Sequence, residues 1–143
     1  MSTPLYTTTA TSTGEGRAGG RATTDDGLLD LTLALPVTMG GPGGATNPEQ
    51  LFAAGWASCF HSALKLVAAQ RRTTIADSTV TAEVSIGKSD DGALGLSAAL
   101  TVHFGAGIDQ QTADDLAAGA HQVCPYSNAT RGNVPVTLTT TVA

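Results

Sequence analysis

Two spacings of apolar residues organise this chain: alternation, which suits strands, and recurrence every three to four residues, which suits helices. Residues 5–13, LYTTTATST, are threonine-rich and β-prone and predict a first strand. A glycine-rich turn follows from Gly14 to Gly20. Residues 21–24 and 28–35 then read as a meander, with Leu29, Leu31, Leu33 and Leu35 alternating on one face and Asp25-Asp26-Gly27 turning between them. Residues 39–46, MGGPGGAT, form a loop with the freedom to move. The helical spacing begins next. Asn47 suits the N-cap, Pro48 the first helical position, and Gln50 completes a capping-box-like pattern. Phe52, Trp56, Phe60, Ala63, Leu64 and Val67 recur at helical spacing, so a helix is predicted to about Arg71, buried on most sides. Its small residues Ala53, Ala54, Gly55, Ala57 and Ser58 would let another helix approach closely. Residues 79–87 and 94–104 predict a hairpin, 109–123 a second helix and 134–142 a last strand.

The order βββ-α-ββ-α-β predicts an α+β fold. The length of 143 residues fits a single domain spanning 1–143. Apolar residues are 41% of the chain, enough for a core, and charged ones only 13%. The net charge of −5, with a pI near 4.8, argues against a nucleic-acid partner, which needs a basic footprint. The N-terminal segment lacks the basic and apolar regions of a secretion signal, and no apolar run reads as long enough for a membrane span. The expectation is a soluble, cytoplasmic protein without a membrane partner.

Two cysteines are too few for a disulfide scaffold. In a reducing compartment they are inert, metal-bound or catalytic. Cys59 lies within the first helix, flanked by Trp56, Phe60 and Ala63. That apolar setting raises a thiol pKa, so a reactive Cys59 needs a cation nearby. Cys124 precedes Pro125, which ends one helix and suits the start of another. If a short helix starts there, Cys124 lies at its N-terminus, where a thiolate is favoured. The spacing does not show that the two sulfurs meet.

The segments TNPEQLFAAGWASCFHSALK (46–65) and AHQVCPYSNATRGNVPV (120–136), with GRAGGRA and MGGPGG before them, resemble the organic hydroperoxide resistance (Ohr) branch of the OsmC/Ohr family. The likeness spans essentially the whole chain. It implies the OsmC/Ohr-like α+β fold as an intertwined homodimer. It also implies a dithiol peroxidase that reduces alkyl or fatty-acid hydroperoxides. Cys59 matches the peroxidatic position and Cys124 the resolving one, giving an intramolecular disulfide. An arginine of the glycine-rich turn pairs with Glu49 to activate the thiolate. The reductant is dihydrolipoamide or a lipoylated protein, and no cofactor is bound. Chemistry agrees: a thiolate attacks the O–O bond to give a sulfenic acid, and a second thiol condenses with it. The apolar setting of Cys59 then suits an alkyl hydroperoxide, with Trp56 and Phe60 as candidate substrate-binding residues, although Trp56 serves a core equally well. This turn is longer than the family's; Arg17, which follows the first glycine cluster, is the better match for the activating arginine and Arg21 the fallback, with Glu15 a competing carboxylate.

Glu49 and Cys59 are ten positions apart, about 15 Å and roughly 80° on one helix. Either that helix breaks, or Glu49 serves Cys59 of another chain, which predicts an obligate homodimer. Other readings are weaker. Cys59 and His61 point about 200° apart on a helix and do not converge readily on a zinc ion with His121 and Cys124, so no metal site is expected. His121 is structural or near the site. Tyr126 suits packing, and Arg131 suits fixing the turn after Asn128 or helping to position Cys124. The Gly14-x-Gly16-x-x-Gly19 pattern precedes a strand rather than a helix, against a dinucleotide site. The alternative function is a non-catalytic carrier of apolar ligands, or a redox sensor, on the same fold.

Overall fold

The computed structural model describes residues 3–143, which form two compact units, one ending at Leu51 and one running from Phe52 to Ala143. The first unit carries an antiparallel sheet of β1 (Ala10–Gly14), β2 (Gly20–Thr24) and β3 (Asp30–Thr32), in the order β1-β2-β3. The hairpin between β1 and β2 closes at Gly14↔Gly20 and holds a 3₁₀ turn, Gly16–Ala18. A side chain at Gly20 would place Cβ 2.4 Å from the Thr13 carbonyl oxygen, so only glycine fits this pinch.

Two strands are shorter than the sequence predicts. β2 offers five residues, so β1 pairs only from Ala10↔Thr24 to Gly14↔Gly20, and among the described residues, 5–9 join no strand ladder. Propensity without a partner does not make a strand. The strand expected over 28–35 stops at Thr32. Leu33 instead bridges to Thr46, the Ala34 N–H donates to the Thr46 carbonyl, and a second 3₁₀ turn follows at Val37–Met39.

Helix α1 spans Pro48–Gln70 without a break. Its start is the one its sequence encodes: the Gln50 N–H donates to Asn47 Oδ1 at 2.9 Å. At 23 residues, with a mean hydropathy of 1.3 over its best 18-residue window, α1 is long and apolar enough to cross a bilayer by length and composition. That corrects the sequence-based expectation that no run reaches such a length.

The second unit holds a sheet of β4 (Thr79–Lys88), β5 (Leu94–Phe104) and β6 (Val136–Val142), in that order. β4 and β5 form the expected hairpin, and β6 runs parallel to β5 after a crossover through α2 (Gln110–Val123) and α3 (Pro125–Thr130). Asp109 caps α2, its carboxylate accepting the Thr112 N–H at 2.7 Å. Register aligns one apolar face across all three strands: Ala82↔Leu100↔Leu138 and Val84↔Ala98↔Val136. On that face Leu100, Val102 and Phe104 pack in one core with Trp56, Phe60, Leu64 and Val67 of α1 and Ala113, Leu116, Ala117 and Ala120 of α2. Burying each large side chain contributes about 1.5–3 kcal/mol, and this core fixes α1 and α2 in place.

Candidate active site

Cys59 sits one residue before Phe60, at the margin of the buried stripe of α1. It is half-buried, whereas Cys124 has no exposed surface. Both are free thiols. Cys124 is the junction between α2 and α3, closing the first and capping the second. The Ser127 N–H points at its sulfur at 3.5 Å, so the short helix allowed by Pro125 does form.

The two thiols are brought together. Burial pushes the Cys59 pKa above its ordinary 9.0, the Tyr126 backbone N–H pulls it back, and the neighbouring Cys124 thiol raises it further. Within residues 52–143, no cationic side chain is among the groups acting on Cys59. Tyr126 is held in turn by aromatic contacts. Its ring meets Phe52 edge-on at 6.3 Å and lies against Gly55, where an added Cβ would fall 2.9 Å from the phenol oxygen.

Cys59 opens onto a cavity of about 350 Å³, lined also by Ser62, Ala63, Leu66, Val123 and Pro125. The sulfur thus faces an open cleft whose lining is mostly apolar. Trp56 and Phe60, taken from the sequence as substrate-binding residues, are not in that lining. Both are fully buried in the core, because they point from α1 toward the sheet while Cys59, Ser62 and Leu66 lie along an adjacent stripe. Leu66 and Val123 escaped the sequence reading. The signal for Leu66 was its place two helical turns beyond Cys59. Ser127 escaped too, although it stands three residues after Cys124, where an N-cap side chain finds its donor.

In the first unit it is Arg17, not Arg21, that pairs with Glu49. Arg17, in the 3₁₀ turn at the hairpin tip, holds Glu49 with two parallel bonds, Nη1 to Oε2 and Nη2 to Oε1, both 2.8 Å. This bidentate fork fixes both groups. Hydrogen bonding from Arg17 holds the Glu49 carboxyl below its ordinary 4.5 against the opposing effect of burial. Arg21 is occupied elsewhere, in an exposed pair with Asp30 across β2 and β3. These are the salt bridges among the described residues, and Glu15 joins neither.

The histidines are engaged in hydrogen bonds. His61 Nε2 meets Ser78 Oγ at 3.0 Å and His121 Nδ1 meets Ser127 Oγ at 2.9 Å. Arg131 fixes the turn as expected, bonding Asn128 Oδ1 at 2.7 Å, and also ties it to the His121 carbonyl at 2.6 Å.

The family model described as OsmC-like protein matches residues 41–139, and the chain belongs to that family. Several relatives of 41–49% identity carry the name organic hydroperoxide resistance protein or a variant of it. The organic hydroperoxide resistance protein of Xanthomonas axonopodis pv. citri is 49% identical over 137 residues, 94% of each chain. Organic hydroperoxide resistance protein OhrB of Bacillus subtilis is 44% identical over 135 residues, 94% of this chain and 96% of that one. A crystal structure of an organic hydroperoxide resistance protein from Legionella pneumophila matches with a TM-score of 0.92 at 48% identity, covering 98% of this chain and 100% of the other.

Proposed function

We propose that this protein is a cysteine-based peroxidase that protects against organic hydroperoxides. The observation that carries this reading is the meeting of its only two thiols beside an apolar cavity. The Cys59 thiolate attacks the distal peroxide oxygen. The O–O bond breaks, the substrate leaves as an alkoxide that is protonated to the alcohol, and Cys59 becomes a sulfenic acid. The Cys124 thiol then attacks the Cys59 sulfur, forming the disulfide and releasing water. A dihydrolipoyl dithiol, free or on a lipoylated protein, reduces that disulfide and is itself oxidised to the cyclic disulfide.

Burial alone leaves Cys59 a poor nucleophile, so the thiolate needs a cation. Arg17, oriented by Glu49, suits this task because a guanidinium is a permanent charge. Glu49 precedes Cys59 by ten residues on an unbroken helix, about 15 Å of rise. The pair therefore serves Cys59 of the partner subunit in a homodimer. The alkyl part of the hydroperoxide lies against Leu66, Val123 and Ala63.

The reading is tested by following cumene hydroperoxide consumption with dihydrolipoamide as reductant. The wild type turns over and Cys59→Ser does not. Full activity in Cys59→Ser would overturn the proposal.

A further inference from the structure

Ser127 has no part in the chemistry above, yet it is fully buried and three elements converge on it. From α1, the indole N–H of Trp56 donates to its Oγ at 3.3 Å. From the last turn of α2, His121 Nδ1 stands 2.9 Å from the same oxygen. Its own backbone N–H, in α3, points at Cys124 Sγ. A hydroxyl has one proton and two lone pairs. Indole can only donate, so Ser127 accepts from Trp56 and has its proton left for Nδ1 of a neutral His121. Burial, aided by Arg131, pushes the His121 pKa down and keeps that ring neutral. Arg131 also holds the His121 carbonyl, so the node is braced from outside.

A buried hydroxyl is costly unless bonded, and an apolar core would be served by alanine. The arrangement has a geometric consequence instead. It ties the turn carrying Cys124 to the helix carrying Cys59, one turn of α1 from Trp56. We infer that Ser127 is a positioning residue for disulfide closure, holding the Cys124 sulfur toward Cys59 by clamping its turn to Trp56 and His121. The inference rests on the peroxidase reading. In the step concerned, Cys124 S–H and Cys59 S–OH combine, the S–S bond forms, the S–O bond breaks, and the thiol proton leaves with the hydroxyl as water. The sulfur must approach along the S–O axis. A loosened turn lets a second hydroperoxide oxidise the sulfenic acid to sulfinic acid first.

The test is single-turnover oxidation of the full chain with cumene hydroperoxide, comparing wild type with Ser127→Ala. Dimedone capture reads sulfenic acid formation, peptide mass reads the disulfide, and the emission of Trp56, the only tryptophan, reports on the node itself. In Ser127→Ala, sulfenic acid forms within about twofold of the wild-type rate, while closure slows by about tenfold to a hundredfold, the scale of a misplacement near 1 Å. Sulfinic Cys59 accumulates under excess peroxide, and Trp56 emission shifts before any oxidant is added. Trp56→Phe, which keeps a ring and removes the N–H, shows the same split and carries the test if Ser127→Ala fails to fold. Closure at the wild-type rate in the folded variant overturns the inference, as does equal slowing of both steps. A wild type that yields neither sulfenic acid nor disulfide overturns the peroxidase reading itself, a distinguishable failure.

Discussion

Among single residues, the Arg17–Glu49 fork makes the sharpest statement. The Glu49 carboxyl is held below 4.5 by Arg17, so its pairing stabilises the folded chain above that pH. That contribution fades as pH falls through the lowered folded value. A carbon-13 titration of Glu49 is expected to give a midpoint below 4.5, and a midpoint at or above it would remove the fork from the solution structure. Under the proposed mechanism Arg17 and Arg21 differ in consequence. An opposite charge within reach lowers a thiol pKa by about 1–3 units, about tenfold or more in thiolate. Arg17→Ala is therefore expected to slow iodoacetamide alkylation of Cys59 near pH 7 by at least about tenfold, while Arg21→Ala leaves it unchanged. Equal effects of the two would reject Arg17 as the activating cation.

At the scale of elements, caps and registers set the boundaries. The Asp109 carboxylate accepts the Thr112 N–H at the start of α2, the helix that delivers Cys124. Asp109→Ala is expected to cost about 1 kcal/mol, lowering the Tm by roughly 2–5 °C for a chain of this size. A shift below 1 °C would deny that cap its role. The long elements were legible because local rules and tertiary demands agreed. Asn47-Pro48-x-Gln50 announced α1, and the segments 94–104 and 109–123 read as the strand and the helix that became β5 and α2. The short strands were less legible, since the length of β1 is set by what β2 offers at Thr24, a partner 14 residues away in register. The site divides in the same way. Arg17, Glu49, Cys59 and Cys124 stood out through the family resemblance, which already favoured Arg17 over Arg21, and the fork shows Arg17 to be the arginine that holds Glu49. Trp56 and Phe60 were placed in the pocket because helical spacing shows which residues share a stripe, not which stripe faces the sheet. Ser127 was hidden because a serine's worth depends on partners 71 residues away, at Trp56, as well as 6 away, at His121.

For the whole molecule, the proposed chemistry requires more than one chain. Glu49 and Cys59 share an unbroken α1, and the small residues Ala53, Ala54, Gly55, Ala57 and Ser58 would permit the close crossing of two such helices. Light scattering is expected to give twice the 14.3 kDa chain mass. A peroxidase-active monomer would return the activating pair to the same chain and contradict the dimeric site. A net charge of −5 on each chain opposes that pairing through mutual repulsion, so apolar contact is expected to drive it. The central claim is that two thiols act in sequence, one attacking and one resolving. The most direct measurement is intact mass and peptide mapping of the reduced protein after one equivalent of cumene hydroperoxide. The account predicts loss of two hydrogens per chain and a single cross-link joining the peptides of Cys59 and Cys124. An unchanged mass, or Cys59 oxidised with Cys124 still a free thiol, would contradict it.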